Sequence, residues 1–162
     1  MPRMIFLVFL AVGLHLGVSA CAPEVELDKV ADPVPDQERP SAKQGLLLSL
    51  DKTKYTGTPE EMRVTLENQS TKDFTLGEFY QLEQKVDGLW YIVLYSNAVF
   101  YKNRDFKNYG LELRAGETIV QTYSPAELGI TFPAGEYRLV KTVIHRDPSY
   151  EISIAVPFQV SG

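Results

Sequence analysis

From Gly45 to the end of the chain, apolar residues recur at every second position in short runs, and turn residues separate the runs. That period marks strands with one buried face and one open face. Met62-Arg63-Val64-Thr65-Leu66-Glu67-Asn68 shows it most cleanly, with Met62, Val64 and Leu66 on one side and Arg63, Thr65 and Glu67 on the other. The same reading predicts strands at 46–50, 74–76, 79–86, 89–95, 111–113, 117–123, 135–145 and 152–160. Asp87-Gly88 joins two of these runs and predicts a type I′ hairpin, because both central residues of that turn need positive φ. In the arm that follows, apolar residues occupy both faces. Trp90 and Ile92 are expected toward the core, with Tyr91 and Val93 partly covered by the next loop. Pro157 cannot donate to a ladder, so the last strand should lie at an edge or break near that point. Ser124-Pro125-Ala126-Glu127-Leu128-Gly129 predicts one helical turn, and no run has the makings of a long helix.

Pro133-Ala134-Gly135-Glu136-Tyr137-Arg138-Leu139-Val140-Lys141 reads as a tight turn feeding a long strand. A Tyr two residues after the Gly of such a turn suits a corner where the chain passes between sheets, its ring packed beneath and its hydroxyl bonded to backbone. Gly135 and Tyr137 are therefore the expected fold corner. The whole predicts an all-β, antiparallel sandwich of seven to eight strands with Greek-key connections over residues 45–162.

Upstream of Gly45 the pattern changes. Arg3 precedes an apolar run from Met4 to Leu16, which is too short for a comfortable membrane span and has the layout of a secretory signal over residues 1–20. The run ends in Val18-Ser19-Ala20-Cys21, which resembles the bacterial lipobox: an aliphatic residue, two small ones, then the cysteine that opens the mature chain. That resemblance implies a diacylglyceryl thioether on Cys21, often with an acylated amine as well. Two or three such chains anchor a protein stably in a membrane. The competing reading is an ordinary leader cut before an incidental cysteine. Residues 21–44 carry Pro23, Pro33, Pro35 and Pro40 with scattered charges. They read as the lipidated Cys and a disordered tether, spanning on the order of 25–30 Å as a flexible coil. The alternative makes Val25-Glu26-Leu27 an edge strand.

Composition narrows the chemistry. The chain has 162 residues, 44% hydrophobic and 23% charged, with a net charge of −5. It is long enough for one ordinary domain and carries no general attraction for nucleic acid. Cys21 is the only cysteine, so no internal disulfide and no thiolate metal cluster can form. Beyond the leader the one histidine is His145, and a hydrolytic reading would make it a base oriented by Asp147; a surface position at a strand end is the plainer account. Asp147 and Glu151 are too sparse for a calcium site, and no metal or cofactor is expected. Nucleotide-binding and nucleophile-elbow patterns do not occur.

One segment stands out as a candidate binding loop. In residues 99–109, Phe100, Tyr101, Phe106 and Tyr109 interleave with Lys102, Arg104 and Lys107 in an otherwise acidic protein. Exposed rings beside cationic groups suit glycan rings or anionic polymers. The alternative has Phe100 and Phe106 plugging the end of the sandwich.

Taken with Leu82-Glu83, Asp87-Gly88-Leu89-Trp90-Tyr91, Leu113-Arg114-Ala115-Gly116-Glu117 and the 133–141 corner, residues 45–160 resemble the bacterial Ig-like domains found at bacterial surfaces. The resemblance implies an Ig-like sandwich without catalysis and supplies no ligand residues. It leads to the expectation of a lipoprotein held at the cell envelope, on the outer face of the plasma membrane or on the outer membrane of a Gram-negative cell. There its domain would serve as a binding or structural module for an envelope protein or glycan. A weaker similarity, to Ig-like bacterial proteinase inhibitors, gives the alternative function.

Overall fold

The computed structural model describes residues 27–95 and 107–162. The leader, Cys21 and residues 22–26 lie outside the described residues, as do Phe100, Tyr101, Lys102, Arg104 and Phe106 of the candidate loop.

Among the described residues, the chain forms β1 (Ala42–Lys43), β2 (Leu46–Leu50), β3 (Lys54–Thr56), β4 (Met62–Asn68), β5 (Phe74–Leu76) and β6 (Gln81–Val86). It continues with β7 (Leu89–Ile92), β8 (Leu111–Leu113), β9 (Thr118–Tyr123), a 3-10 turn (Ala126–Leu128), β10 (Gly135–Arg146) and β11 (Ser149–Ser161). The smaller sheet has the order β1-β2-β4-β9. The larger runs β3-β11-β10-β5-β8, with β6 and β7 attached to β10 beside β5. The fold is thus an all-β sandwich, mostly antiparallel, in which β9 and β10 belong to opposite sheets. The strand count exceeds seven or eight in part because β1 and β3, which fall outside the expected strands, are only two or three residues long. Runs that short leave little alternation to read.

Alternating residues supply the core. Met62, Val64 and Leu66 of β4 face Ile152, Ile154, Val156, Phe158 and Val160 of β11, and Leu82, Leu139 and Val143 join them. Asp87 and Gly88 both take positive φ, 51° and 84°, which closes the β6–β7 hairpin in two residues. Tyr137 is fully buried between Phe132 and Phe158, and its hydroxyl donates to Pro133 O at 2.7 Å. Gly135 sits beside the ring, where an added Cβ would meet ordinary van der Waals contact at 3.5 Å. In β11 the Ala155 and Gln159 amides point away from β10, donating to Pro40 O and to Thr53 O beside β3. Pro157 has the same parity and falls between them, where no amide is needed.

Two expectations fail. The hairpin register pairs Lys85 with Trp90 and Glu83 with Ile92, so Trp90 and Ile92 face outward with the charged residues. Val93 belongs to the core instead. Second, residues 27–44 are not a free tether. They form a belt that runs antiparallel along β7, with Val30 and Val34 amides donating to Ile92 O and Trp90 O and the Leu94 amide to Asp28 O. The belt then crosses the outer face of the larger sheet to reach Ala155 and β1. Leu27 and Val34 are buried by this contact. The edge-strand alternative comes closer, although the bridge is at Lys29–Val93 rather than at 25–27.

Candidate binding surface

The belt is held by charge. Glu83, fully buried on the outer face of β6, accepts from Arg138 Nε of β10 and from Arg39 Nη1 of the belt, both at 2.5 Å, and from Gln81 Nε2 at 2.6 Å. The Arg138 guanidinium reaches on to Gln37 O and Asp36 O, each at 2.8 Å, and lies 4.5 Å over the Trp90 ring. Gln37 closes the arrangement by accepting the Trp90 amide at 2.8 Å. A carboxylate and two guanidiniums removed from water need partners of this quality, because desolvation otherwise outweighs their attraction. Trp90 thus forms the lid of an ion cluster rather than part of the core.

A second charge sits inside the sandwich. Lys141 shares the inward parity of Tyr137, Leu139 and Val143 and is 1% exposed. Between β5 and β6 the chain leaves the β10 ladder, and Lys141 Nζ donates to the carbonyls there, Gly77 O at 2.8 Å and Phe79 O at 2.7 Å. Tyr123 lies beneath it at 5.4 Å and is packed on Tyr80. Burial pulls the Lys141 pKa down to about 7, opposed by the Glu78 carboxylate. Burial also pushes the Tyr80, Tyr95 and Tyr123 hydroxyls well above their ordinary range.

The described end of the candidate loop is pinned over this same break. Glu78 N–H donates to Lys107 O at 2.7 Å, and the Lys107 amide returns to the Glu78 carboxylate at 3.1 Å. Asn108 passes so close to Gly77 that a Cβ there would lie 2.3 Å from its backbone. Only glycine fits beneath that crossing. Tyr109 stands at the rim, 81% exposed. Lys107 and Tyr109 therefore come together at one place, while the other five loop candidates lie outside the described residues.

Between this crossing and the belt runs a trough of about 420 Å³. Its floor is Val140, Thr142 and Ile144, the outward residues of β10; Arg39 lines one side and Asn108, Tyr109 and Gly110 the other. Arg146 and Phe79 also line it. His145 is engaged elsewhere, stacked on Tyr150 at 4.8 Å with Nδ1 2.9 Å from Pro148 O. Among the described residues, no three His, Asp or Glu side chains converge as a metal site would require.

Sequence reasoning missed Arg39, Glu83, Arg138 and Lys141. Parity marks one of them, since Lys141 interrupts an inward apolar series in β10.

A profile of the bacterial Ig-like domain matches residues 42–159, from β1 into β11, and leaves most of the belt outside the match. The chain belongs to the bacterial Ig-like domain family, whose members are generally non-catalytic. No curated protein matches it. Among solved structures, a β-glucosidase from Erythrobacter marinus is similar at 12% identity with a TM-score of 0.36. The likeness covers 72% of this chain but only 15% of that one, and it carries no argument about activity.

Proposed function

We propose that the protein is a lipid-anchored, non-catalytic binding module of the bacterial cell envelope. The observation that carries this reading is the position of the chain's only thiol: Cys21 directly follows Val18-Ser19-Ala20 at the end of an apolar leader. Acyl chains on that residue would hold the domain at the outer face of the plasma membrane, or on the outer membrane of a Gram-negative cell.

The belt shortens the connection. Leu27 is already buried against the domain, so five residues separate it from Cys21. Fully extended, that stretch reaches about 20 Å. The domain would then work close to the bilayer, against envelope components within that reach.

Mass spectrometry of the mature protein tests the anchor. The expected N-terminal peptide begins at Cys21 and carries the mass of its acyl groups, and the protein enters the detergent phase on partitioning. Cys21→Ala should abolish both. An unmodified Cys21 in the mature chain would overturn the reading.

A further inference from the structure

We propose that the trough on the outer face of the larger sheet binds a short segment of a carboxylate-bearing glycan, stacked on Tyr109 and paired with Arg146. This names a ligand class for the binding role proposed above and rests on that role, but not on the anchor.

Four features of the trough point the same way. Exposed apolar side chains gather there: Phe79, Tyr109 and Ile144 line it, and they are three of the six large hydrophobics exposed among the described residues. Pyranose rings present apolar C–H faces, and a tyrosine ring at a groove edge offers a flat surface to them together with a polar tip. Second, the lining contains Arg39 and Arg146 and no Asp or Glu, in a chain whose net charge is −5. Arg39 is spoken for by Glu83. Arg146 has no ion pair among the described residues. Glu112 and Asp147 lie with it along a neighbouring depression rather than in the trough. A guanidinium so placed can take a carboxylate in two parallel hydrogen bonds. Third, the floor supplies neutral donors and acceptors suited to hydroxyls, chiefly Thr142 and Ser153, whose Oγ atoms are 2.8 Å apart. Fourth, the trough lies on a sheet face. An added peptide strand gains its affinity from main-chain bonds at a sheet edge, whereas recognition on a face must come from side chains. The volume, about 420 Å³, lies within the range of small-ligand sites and suits a few rings rather than a folded partner.

The test is calorimetric titration of the full mature protein, reconstituted in phosphatidylcholine vesicles, with tetragalacturonate, neutral maltotetraose and tetraglutamate. Tetragalacturonate should bind and weaken as salt rises, because its charge is met by an exposed arginine. Maltotetraose should bind at least about tenfold more weakly, the loss of a charge-assisted pair. Tyr109→Ala and Arg146→Gln should each weaken tetragalacturonate by about tenfold while leaving the melting temperature unchanged, since both side chains stand in solvent. Cys21→Ala protein in detergent should bind as the parent does, so failure of the anchor and failure of the site are distinguishable. Absence of tetragalacturonate binding overturns the proposal, as does equal binding of maltotetraose or indifference to both substitutions. Tetraglutamate binding as tightly as the sugar would show an acidic-peptide site and overturn the glycan assignment.

Discussion

At the scale of single residues, two buried polar groups set the behaviour of the interior. The Tyr137 hydroxyl spans the corner to Pro133 O, and its pKa is pushed up to about 12 by burial. Tyr137→Phe keeps the ring and removes that bond, so it should cost about 1–2 kcal/mol in chemical denaturation without altering the fold. Lys141 has a larger and pH-dependent effect. Its folded pKa, about 7, lies below the roughly 10.4 of an unfolded lysine. Between those values the unfolded chain holds the additional proton, so stability must rise with pH across that window. Two tyrosines act oppositely: half-buried Tyr55 and buried Tyr137, both near 12, remain protonated in the fold above pH 10, where unfolded tyrosines ionise. They contribute stability that is lost as pH climbs from about 10 to 12. Denaturation curves should therefore show stability climbing from pH 7 toward about pH 10, by up to a few kcal/mol, and falling beyond. Lys141→Met should flatten the climb and leave the fall. A climb that survives this substitution would show that some other group is responsible.

At the scale of elements, the belt is the feature that separates this chain from a bare sandwich. Its hold depends on Glu83, Arg39 and Arg138 rather than on an apolar stripe. Removing Glu83 leaves two guanidiniums without their counterpart, which typically costs about 3–5 kcal/mol. Glu83→Gln should do so, whereas Arg138→Met keeps the Glu83–Arg39 pair and should cost less, through its lost bonds to Gln37 O and Asp36 O; hydrogen exchange should show where. The Val30 and Val34 amides, donors to β7, should lose protection while the Val140 amide in mid-sheet stays slow. Uniform loss along the chain would show that belt and sandwich unfold as one unit. The same cluster explains what the sequence could and could not disclose. Strands buried on one face, such as β4 and β11, announced their inward residues by alternation, and Asp87-Gly88 announced its turn by its need for positive φ. β7 is covered on both faces, by core on one and by Arg138 and the belt on the other, so alternation could not say which way Trp90 points. The belt itself binds through backbone carbonyls and ion pairs. Its prolines and charges therefore looked like those of a solvated linker. The trough was illegible for a related reason: it joins Arg39, Phe79, Tyr109 and Arg146, which are distant in sequence and meet only through the pairing of strands.

At the scale of the whole molecule, the belt would act as a gauge on the proposed anchor. With residues 27–40 docked, five residues separate Cys21 from the belt, a stretch whose root-mean-square reach as a coil would be about 12 Å. Released to Pro40, the slack grows to about nineteen residues and roughly 24 Å. The ion cluster would thus decide how far the trough stands from the membrane, although it lies on the face of the sheet and touches no lipid. Energy transfer from a headgroup dye to a thiol-linked label can measure the difference. The proposed lipidation would consume Cys21, so Leu94→Cys would supply the single free thiol at an exposed position beside the start of the belt. In vesicles the label should transfer strongly with the belt intact and less once Arg138→Met is added. Inserting twenty Gly/Ser residues between Glu26 and Leu27 should weaken transfer similarly, because it raises the reach to about 27 Å with the belt still docked. If the insertion weakens transfer and Arg138→Met does not, the belt stays seated without its arginine and the apolar contacts of Leu27 and Val34 hold it. If neither changes transfer, the domain rests on the bilayer through its own surface, and tether length is not what places it.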